Sequence, residues 1–549
     1  MKKKIIGIFV CMLLIATALS ATGIKTFNEY PTDKNTIKVG VNGDWDEITR
    51  LISSDGEPDD WFGESVDIDE DYAIIGARLD DDNGNASGSA YIFKNNNGSW
   101  IQEEKLIASN GSEYDGFGCS VSIDDDYAIV GAFGRPGQVY IFERSMSGWV
   151  EVANFVGSSD GGLGLSVSIS RDYAFAGDPR AKVDGYPQCG MVSVYHRTGS
   201  ANWEQINTIL PNTPGSYLYF GFSVSVDGDF AVIGVPGADI DEINDGAAFI
   251  CKRFSTGWGK HRLLTTPYGG ELNSAFGDIT SIYGDYVLIK NDYEKVFGFV
   301  RDGDDWIFEN AINFTADNQL DDISMCIYED LCVFGFSWND SYTGKAEIYR
   351  WIPDQGFDFE AQIKASDGDL DDYFGHSISI YGEYVLVGAP YDDNNNGEKA
   401  GSTYVFKKPT ASICCEGELV WEKEKPGSIV NGTFHVSNCG EASSLLNWEV
   451  DTYPSWGTWT FDPDSGENLT PEDGTITVNV TITAPDEQNS EFDGEIKIIN
   501  KENSSDFCTI DVSLTTPKNK LFVFNFPLLN WLFERYPNAF PILRNIIEL

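Results

Sequence analysis

An internal repeat constrains this chain more than any other feature. Phe62-Gly63-Glu64-Ser65-Val66-Asp67-Ile68 is followed, after a short gap, by Tyr72-Ala73-Ile74-Ile75-Gly76-Ala77. The same line returns as Phe117-Gly118 with Tyr127 to Ala132, and again from Leu163-Gly164, Phe220-Gly221, Phe276-Gly277 and Phe374-Gly375. A degenerate copy runs from Asp321-Asp322 to Gly335. These seven copies lie about fifty residues apart, a period typical of propeller blades and longer than most solenoid repeats.

Each copy carries four strand signals of period two. In the last copy, Ser377 to Ile380 alternates, turns at Gly382 and continues as Tyr384 to Val387. A loop rich in Asp, Asn and Gly then leads to Ser402 to Phe406. In the other copies a fourth strand opens on an aromatic residue: Trp100, Trp149, Trp203, Trp258, Trp306 or Phe357. The last copy has no such strand. An unassigned one, Trp45 to Leu51, stands in front of the first copy. A front strand that completes the last blade closes a ring and removes its exposed edges. The expectation is an all-β chain with a seven-bladed β-propeller over residues 36–408.

The Phe-Gly openings and the later Gly388-Ala389-Pro390, softened to Gly234-Val235-Pro236, resemble FG-GAP repeats. Such repeats build the N-terminal propeller of integrin α chains and of many microbial surface proteins. In that family, the resemblance implies, ligand meets the face built by the loops from second to third strand and from one blade to the next. Strand alternation puts those two loop sets on one face here as well. Both sets are acidic, so the expected ligand face includes Asp59, Asp60, Asp239, Asp241, Asp371 and Asp372.

Closely spaced Asp and Asn with turn carbonyls can supply the six to eight oxygens that calcium takes. Asp80, Asp82 and Asn83 form one candidate metal site, and Asp392, Asp393, Asn394 and Asn396 another, with Ca2+ as the only cofactor considered. The family's own cation loop joins the first two strands. That connection is a short turn here, as at Asp124-Asp125-Asp126, so its sites do not carry over.

Composition narrows the function. With 86 acidic and 37 basic residues, a net charge of −49, the chain repels nucleic acid and anionic lipid. Hydrophobic residues make up 42%, enough to bury large cores rather than remain disordered. Lys2 to Lys4, the apolar run from Ile5 and small residues near Ser20 read as a signal peptide over 1–21. No phosphate-cradling loop, no nucleophile elbow with a credible partner and no His cluster argues for catalysis.

From Cys414 the pattern changes to short strands with regular Pro and Gly turns, which fits an immunoglobulin-like β-sandwich over 411–516. Cys415 and Cys508 bracket it and are expected to tie its first strand to its last. Residues 517–549, with Phe522, Phe524, Phe526 and Trp531 before Pro537, read as an apolar and partly helical attachment or docking tail. The expected function is a secreted or cell-surface, non-enzymatic binding or adhesion protein whose partner is an extracellular protein or glycan. The alternatives are a secreted propeller enzyme acting on polysaccharide, or a structural component of a surface coat.

Overall fold

The computed structural model describes residues 45–158, 161–199, 202–292, 295–314, 323–353, 355–518, 531 and 534–536. The expected signal peptide, the start of the degenerate copy at Asp321-Asp322 and nearly all of the expected tail lie outside the described residues.

The repeats fold as seven four-stranded antiparallel sheets. The first is Phe62–Asp69, Tyr72–Ala77, Ser89–Asn96 and Ser99–Leu106, ordered from the ring's centre outward. The seventh is Ser377–Tyr381, Tyr384–Ala389 and Ser402–Lys407, with Asp46–Leu51 from the front of the chain as its outermost strand. Glu47 pairs with Phe406 and Leu51 with Thr403, so the front strand does complete the last blade. Each innermost strand packs against that of the next blade, and Ser377–Tyr381 packs against Phe62–Asp69 to close the circle.

The second strand of each blade lies in the middle of its sheet and of the ring. Tyr72–Ala77 and Phe230–Val235 are buried throughout, and continuous apolar runs such as Ala73-Ile74-Ile75 suit a strand covered on both faces. The motif's Phe is the plug between layers. Phe62, fully buried, meets Tyr91 and Phe93 edge to face at 5.4 and 6.0 Å, and Phe117, Phe276 and Phe374 repeat the arrangement.

The two glycines of the motif meet across the blade boundary. A Cβ on Gly76 would lie 1.9 Å from the carbonyl oxygen of Gly118 in the next blade, and one on Gly388 would lie 2.1 Å from that of Gly63. Gly63 itself has φ +96, a conformation that L side chains rarely adopt.

After the linker, the chain forms a two-sheet sandwich. One sheet orders Ile413–Glu416, Ile429–Asn438, Thr475–Thr483 and Thr458–Asp462. The other orders Leu419–Trp421, Phe507–Thr515, Glu491–Asn500, Leu446–Thr452 and Ser465–Leu469. Ile413–Glu416 and Ser465–Leu469 are strands that period-two alternation alone does not single out, the first being only four residues long and the second mostly polar. Trp448 and Trp459 are buried between the sheets with Phe434 and Ile496. Cys415 is bonded to Cys508 and Cys414 to Cys439.

The sandwich abuts the ring at the turn side of the seventh blade. Lys407 meets Glu441 at 2.6 Å, and Thr410 donates from Oγ1 to Glu383 in that blade's first turn at 2.7 Å. Glu383 lies on the face opposite the long loops.

Because the glycine contact repeats around the ring, Gly76→Ala is expected to cost about 3 kcal/mol of stability through overpacking. Gly199→Ala, with nothing within 4 Å of its added Cβ, should stay within about 0.5 kcal/mol of wild type in the same denaturant titration.

Candidate functional site

The two faces of the ring treat their charges differently. On the face of the tight turns, an acid in the first turn of a blade is held by an arginine at the end of the third strand. The pairs are Arg144 with Asp126, Arg197 with Asp172, Arg253 with Asp229, Arg301 with Asp285 and Arg350 with Asp330. Four of these guanidinium groups also lie over the ring of a second-strand residue, as Arg144 lies 4.4 Å from the Tyr72 centroid. Beside these five pairs, Glu70, Asp71, Asp125 and Glu329 in the same turns are exposed, with no hydrogen bond or ion pair to their carboxylates among the described residues.

The opposite face gathers the long loops and most of the residues singled out by the sequence. Its six expected ligand residues separate into two kinds. Asp60 and Asp372 are buried, and their carboxylates accept from the backbone N–H of Glu57 (2.6 Å) and Asp369 (2.5 Å), which folds each turn back on itself. Asp239 is exposed and accepts from the N–H of Asn244 at 2.8 Å. Asp59, Asp241 and Asp371 are exposed, and their carboxylates have no hydrogen bond or ion pair among the described residues. These three are the unpaired members of the six.

The candidate metal residues are committed elsewhere. Lys105, on the outer strand of the first blade, donates to Asp55 (2.9 Å), Asp80 (2.9 Å) and Asp82 (2.6 Å), while the Tyr91 hydroxyl donates to Asp55 and Asp80. Asn83 lends its backbone N–H to Ser87. In the seventh blade, Arg50 takes the same place as Lys105. It pairs with Asp367 and Asp392 and reaches the Asp393 carbonyl at 3.1 Å, while the Tyr404 hydroxyl donates to Asp367 at 2.8 Å. The Asp393 carboxylate accepts from the Lys399 N–H. Asn394 donates to the Gly401 carbonyl, and Asn396 to that of Ser53.

Each loop thus closes on a tethered side-chain cation at the point where a divalent ion would have to enter. The donor set does not fit calcium, because binding it would first require displacing Lys105 or Arg50. Among the described residues no group of three or more His, Cys, Asp or Glu is arranged to hold a metal. Three carboxylates raise the Lys105 ammonium above its ordinary range despite the opposing effect of its burial.

Sequence reasoning passed over an aromatic arc just inside the acidic rim. Trp61 lies 4.6 Å from Tyr391, Tyr391 4.6 Å from Tyr373 and Tyr373 5.2 Å from Tyr342, which Trp338 meets edge-on at 6.1 Å. Arg78 continues it, 4.7 Å over Trp61 and 5.7 Å from Phe133, with its Nε on Glu64 at 2.8 Å. One signal was available in the sequence: Trp61, Tyr219 and Tyr373 each stand directly before the motif's Phe, and all three have φ between 56 and 59. Half-exposed aromatics in a left-handed conformation are uncommon outside such constrained sites.

Two predictions follow from these charges. Replacing Lys105 with Met leaves Asp80 buried beside two other acids, and should cost about 2 kcal/mol or more. Calcium should then stabilise Lys105→Met in a thermal melt, whereas wild type should melt identically with calcium and with chelator. The second concerns protons. Burial raises Asp60 and Asp372 from 3.8 to about 7, reinforced by Asp80 and Asp392 and opposed by the turn N–H groups. The folded state therefore holds protons that the unfolded chain has released. Stability should fall as pH rises from about 4 to about 7 and level off above, and Asp60→Asn with Asp372→Asn should reduce that fall in denaturant midpoints measured across pH, leaving the share due to Asp69 and Asp392, also raised by burial.

The FG-GAP repeat family matches residues 45–93, 100–142, 203–251 and 357–406. No curated protein matches. Among solved structures, a chain of a "Crystal Structure of Mitotic Checkpoint Complex" superposes with TM-score 0.43 at 11% identity, covering 70% of this chain and 99% of that one. Among the described residues no helix is long and apolar enough to cross a membrane. Each matched segment runs from the outermost strand of one blade through the first three strands of the next, and the ring is a β-propeller that carries FG-GAP repeats.

Proposed function

We propose that this is a secreted or cell-surface, non-enzymatic binding protein that engages an extracellular protein or glycan through the long-loop face of its propeller. The observation that carries this reading is the contrast between the faces. The turn face holds five of its acids with arginines, and the sandwich abuts it at Glu383 and Lys407. The loop face keeps Asp59 and Asp371 unpaired two residues from half-exposed Trp61 and Tyr373, which meet across Tyr391, and keeps Asp241 unpaired in the loop of the fourth blade. Free carboxylates around aromatic faces suit hydrogen-bonding, ring-bearing or cationic partners, and aromatic residues dominate the energetics of such patches.

Placing the sandwich on the far side makes it a spacer that leaves the loop face clear. Since Lys105 and Arg50 already close the acidic loops, the binding proposed here needs no divalent cation. Residues 1–21 and 517–549 would supply export and attachment.

The test is capture of the purified full chain on glycan and extracellular-protein arrays. Asp59→Asn, Asp241→Asn and Asp371→Asn together should lower capture at least about tenfold, since each lost charged contact weakens binding appreciably. Glu70→Gln on the turn face should change nothing, and chelator should have no effect. Equal capture by the triple variant and wild type would remove the loop face from consideration.

A further inference from the structure

In a chain with more than two acids per base, an unpaired arginine stands out. Around the ring, Arg50, Arg78, Arg144, Arg197, Arg253, Arg262, Arg301 and Arg350 each hold a carboxylate within 4 Å. Arg135 and Arg180 hold none among the described residues, and both line one cavity. Arg171 is also unpaired but lies at a first turn on the other face.

The cavity, of about 390 Å³, opens on the loop face where the second, third and fourth blades meet. Arg135 comes from the long loop of the second blade, and Pro179, Arg180 and Gln188 from that of the third. Tyr219 and Phe222 flank the fourth blade's Phe-Gly, and Leu165 completes the wall. The volume falls within the range of small-ligand sites. Arg180 also lies 5.9 Å from the Phe133 ring, at the end of the aromatic arc. The nearest acid in sequence, Asp178, is fully buried, accepts from the Gly162 N–H at 2.7 Å and feels the Arg180 charge, but forms no ion pair with it and leaves the guanidinium without a carboxylate partner.

We infer that this cavity binds a sugar acid, a six-membered ring that carries one carboxylate, as the terminal residue of an otherwise neutral glycan. The two guanidinium groups supply the forked, charge-assisted donors that a carboxylate takes. Tyr219 and half-exposed Phe222, with Leu165 and Pro179, offer apolar surface to the flat face of a ring. The Gln188 amide can donate to or accept from a ring hydroxyl. A polyanion fits poorly, because the acidic loops that surround the cavity on both sides would repel every charge beyond the first.

This inference rests on the loop face being the binding face, and it is tested separately from capture on arrays. Full-length protein is titrated with glucuronate, glucose and acetate by calorimetry or saturation-transfer NMR. Glucuronate should bind in the millimolar range, more weakly as salt rises, and at least about tenfold tighter than glucose or acetate. Arg180→Gln and Arg135→Gln, checked for unchanged melting, should each weaken glucuronate about tenfold or more. The Asp59, Asp241 and Asp371 triple variant should keep glucuronate binding, so loss of array capture and loss of the pocket are distinguishable. No glucuronate binding up to about 20 mM, equal binding of acetate, or Arg180→Gln binding as wild type would each overturn the proposal.

Discussion

A propeller leaves one strand edge per blade facing its own axis, and the ring exists only if those edges are satisfied. Here the side chains of one blade do it for the next. Ser65, Asp67 and Asp69 accept from the backbone N–H groups of Val121, Ile123 and Asp125 at 3.1, 2.9 and 2.8 Å. Ser120, Ser122 and Asp124 repeat this toward Val167, Ile169 and Arg171, and Ser166, Ser168 and Ser170 toward Val224, Val226 and Gly228. The alternation that puts one side of the inner strand into the core puts its Ser and Asp side toward the neighbouring edge.

The ladder changes character where the repeat degenerates. Between the fifth and sixth blades, Ser281 accepts from Ile327 at 3.2 Å, and beyond it Ser324 and Ser377 donate instead, to the carbonyls of Gly375 and Gly63. Tyr283, Tyr328 and Tyr381 pack in tilted pairs along the same stretch at 4.7 and 4.8 Å, filling with rings the level that Asp69 and Asp124 hold elsewhere. Ser379 closes the circuit by donating to Asp67 at 2.8 Å. Burial raises the Asp67 carboxyl, and the hydrogen bonds it accepts act against that rise. The degenerate sixth repeat is therefore accommodated by a different way of joining neighbours.

Much of this was legible in the sequence because its cause is local and repeated. The Phe-Gly and Gly-Ala pairs mark places where two backbones touch, and only glycine allows Gly76 to approach Gly118. Trp45 to Leu51 could be assigned to the last blade because every other blade had its own aromatic-led strand. The acidic loops were visible for the same reason. Their chemistry was not, because it depends on which residue of a distant strand reaches them. Asp80 and Asp82 look like cation ligands until Lys105 is known to point between them, and Arg50 reaches Asp392 only through ring closure. The aromatic arc was hidden by the same rule, since Trp61 and Tyr391 are far apart in sequence and adjacent only across the seam.

Closing the ring with residues from the chain's own front end thus does more than remove an edge. It carries Arg50 into the seventh blade, where it holds the acids of a loop that would otherwise repel one another, and places Trp61 against Tyr391. Equivalent positions in other blades follow the demand. Where the loop offers Asn110 rather than a carboxylate, the outer strand carries Asn154 in place of a cation, and the Tyr140 hydroxyl turns to Asn110 at 2.8 Å. Acids are plentiful at the rim and many stand alone, whereas nearly every arginine of the ring holds one, so Arg135 and Arg180, which hold none among the described residues, are the departures from the pattern. In a repeat protein such departures are the places where selection for a partner, rather than for the ring, can act.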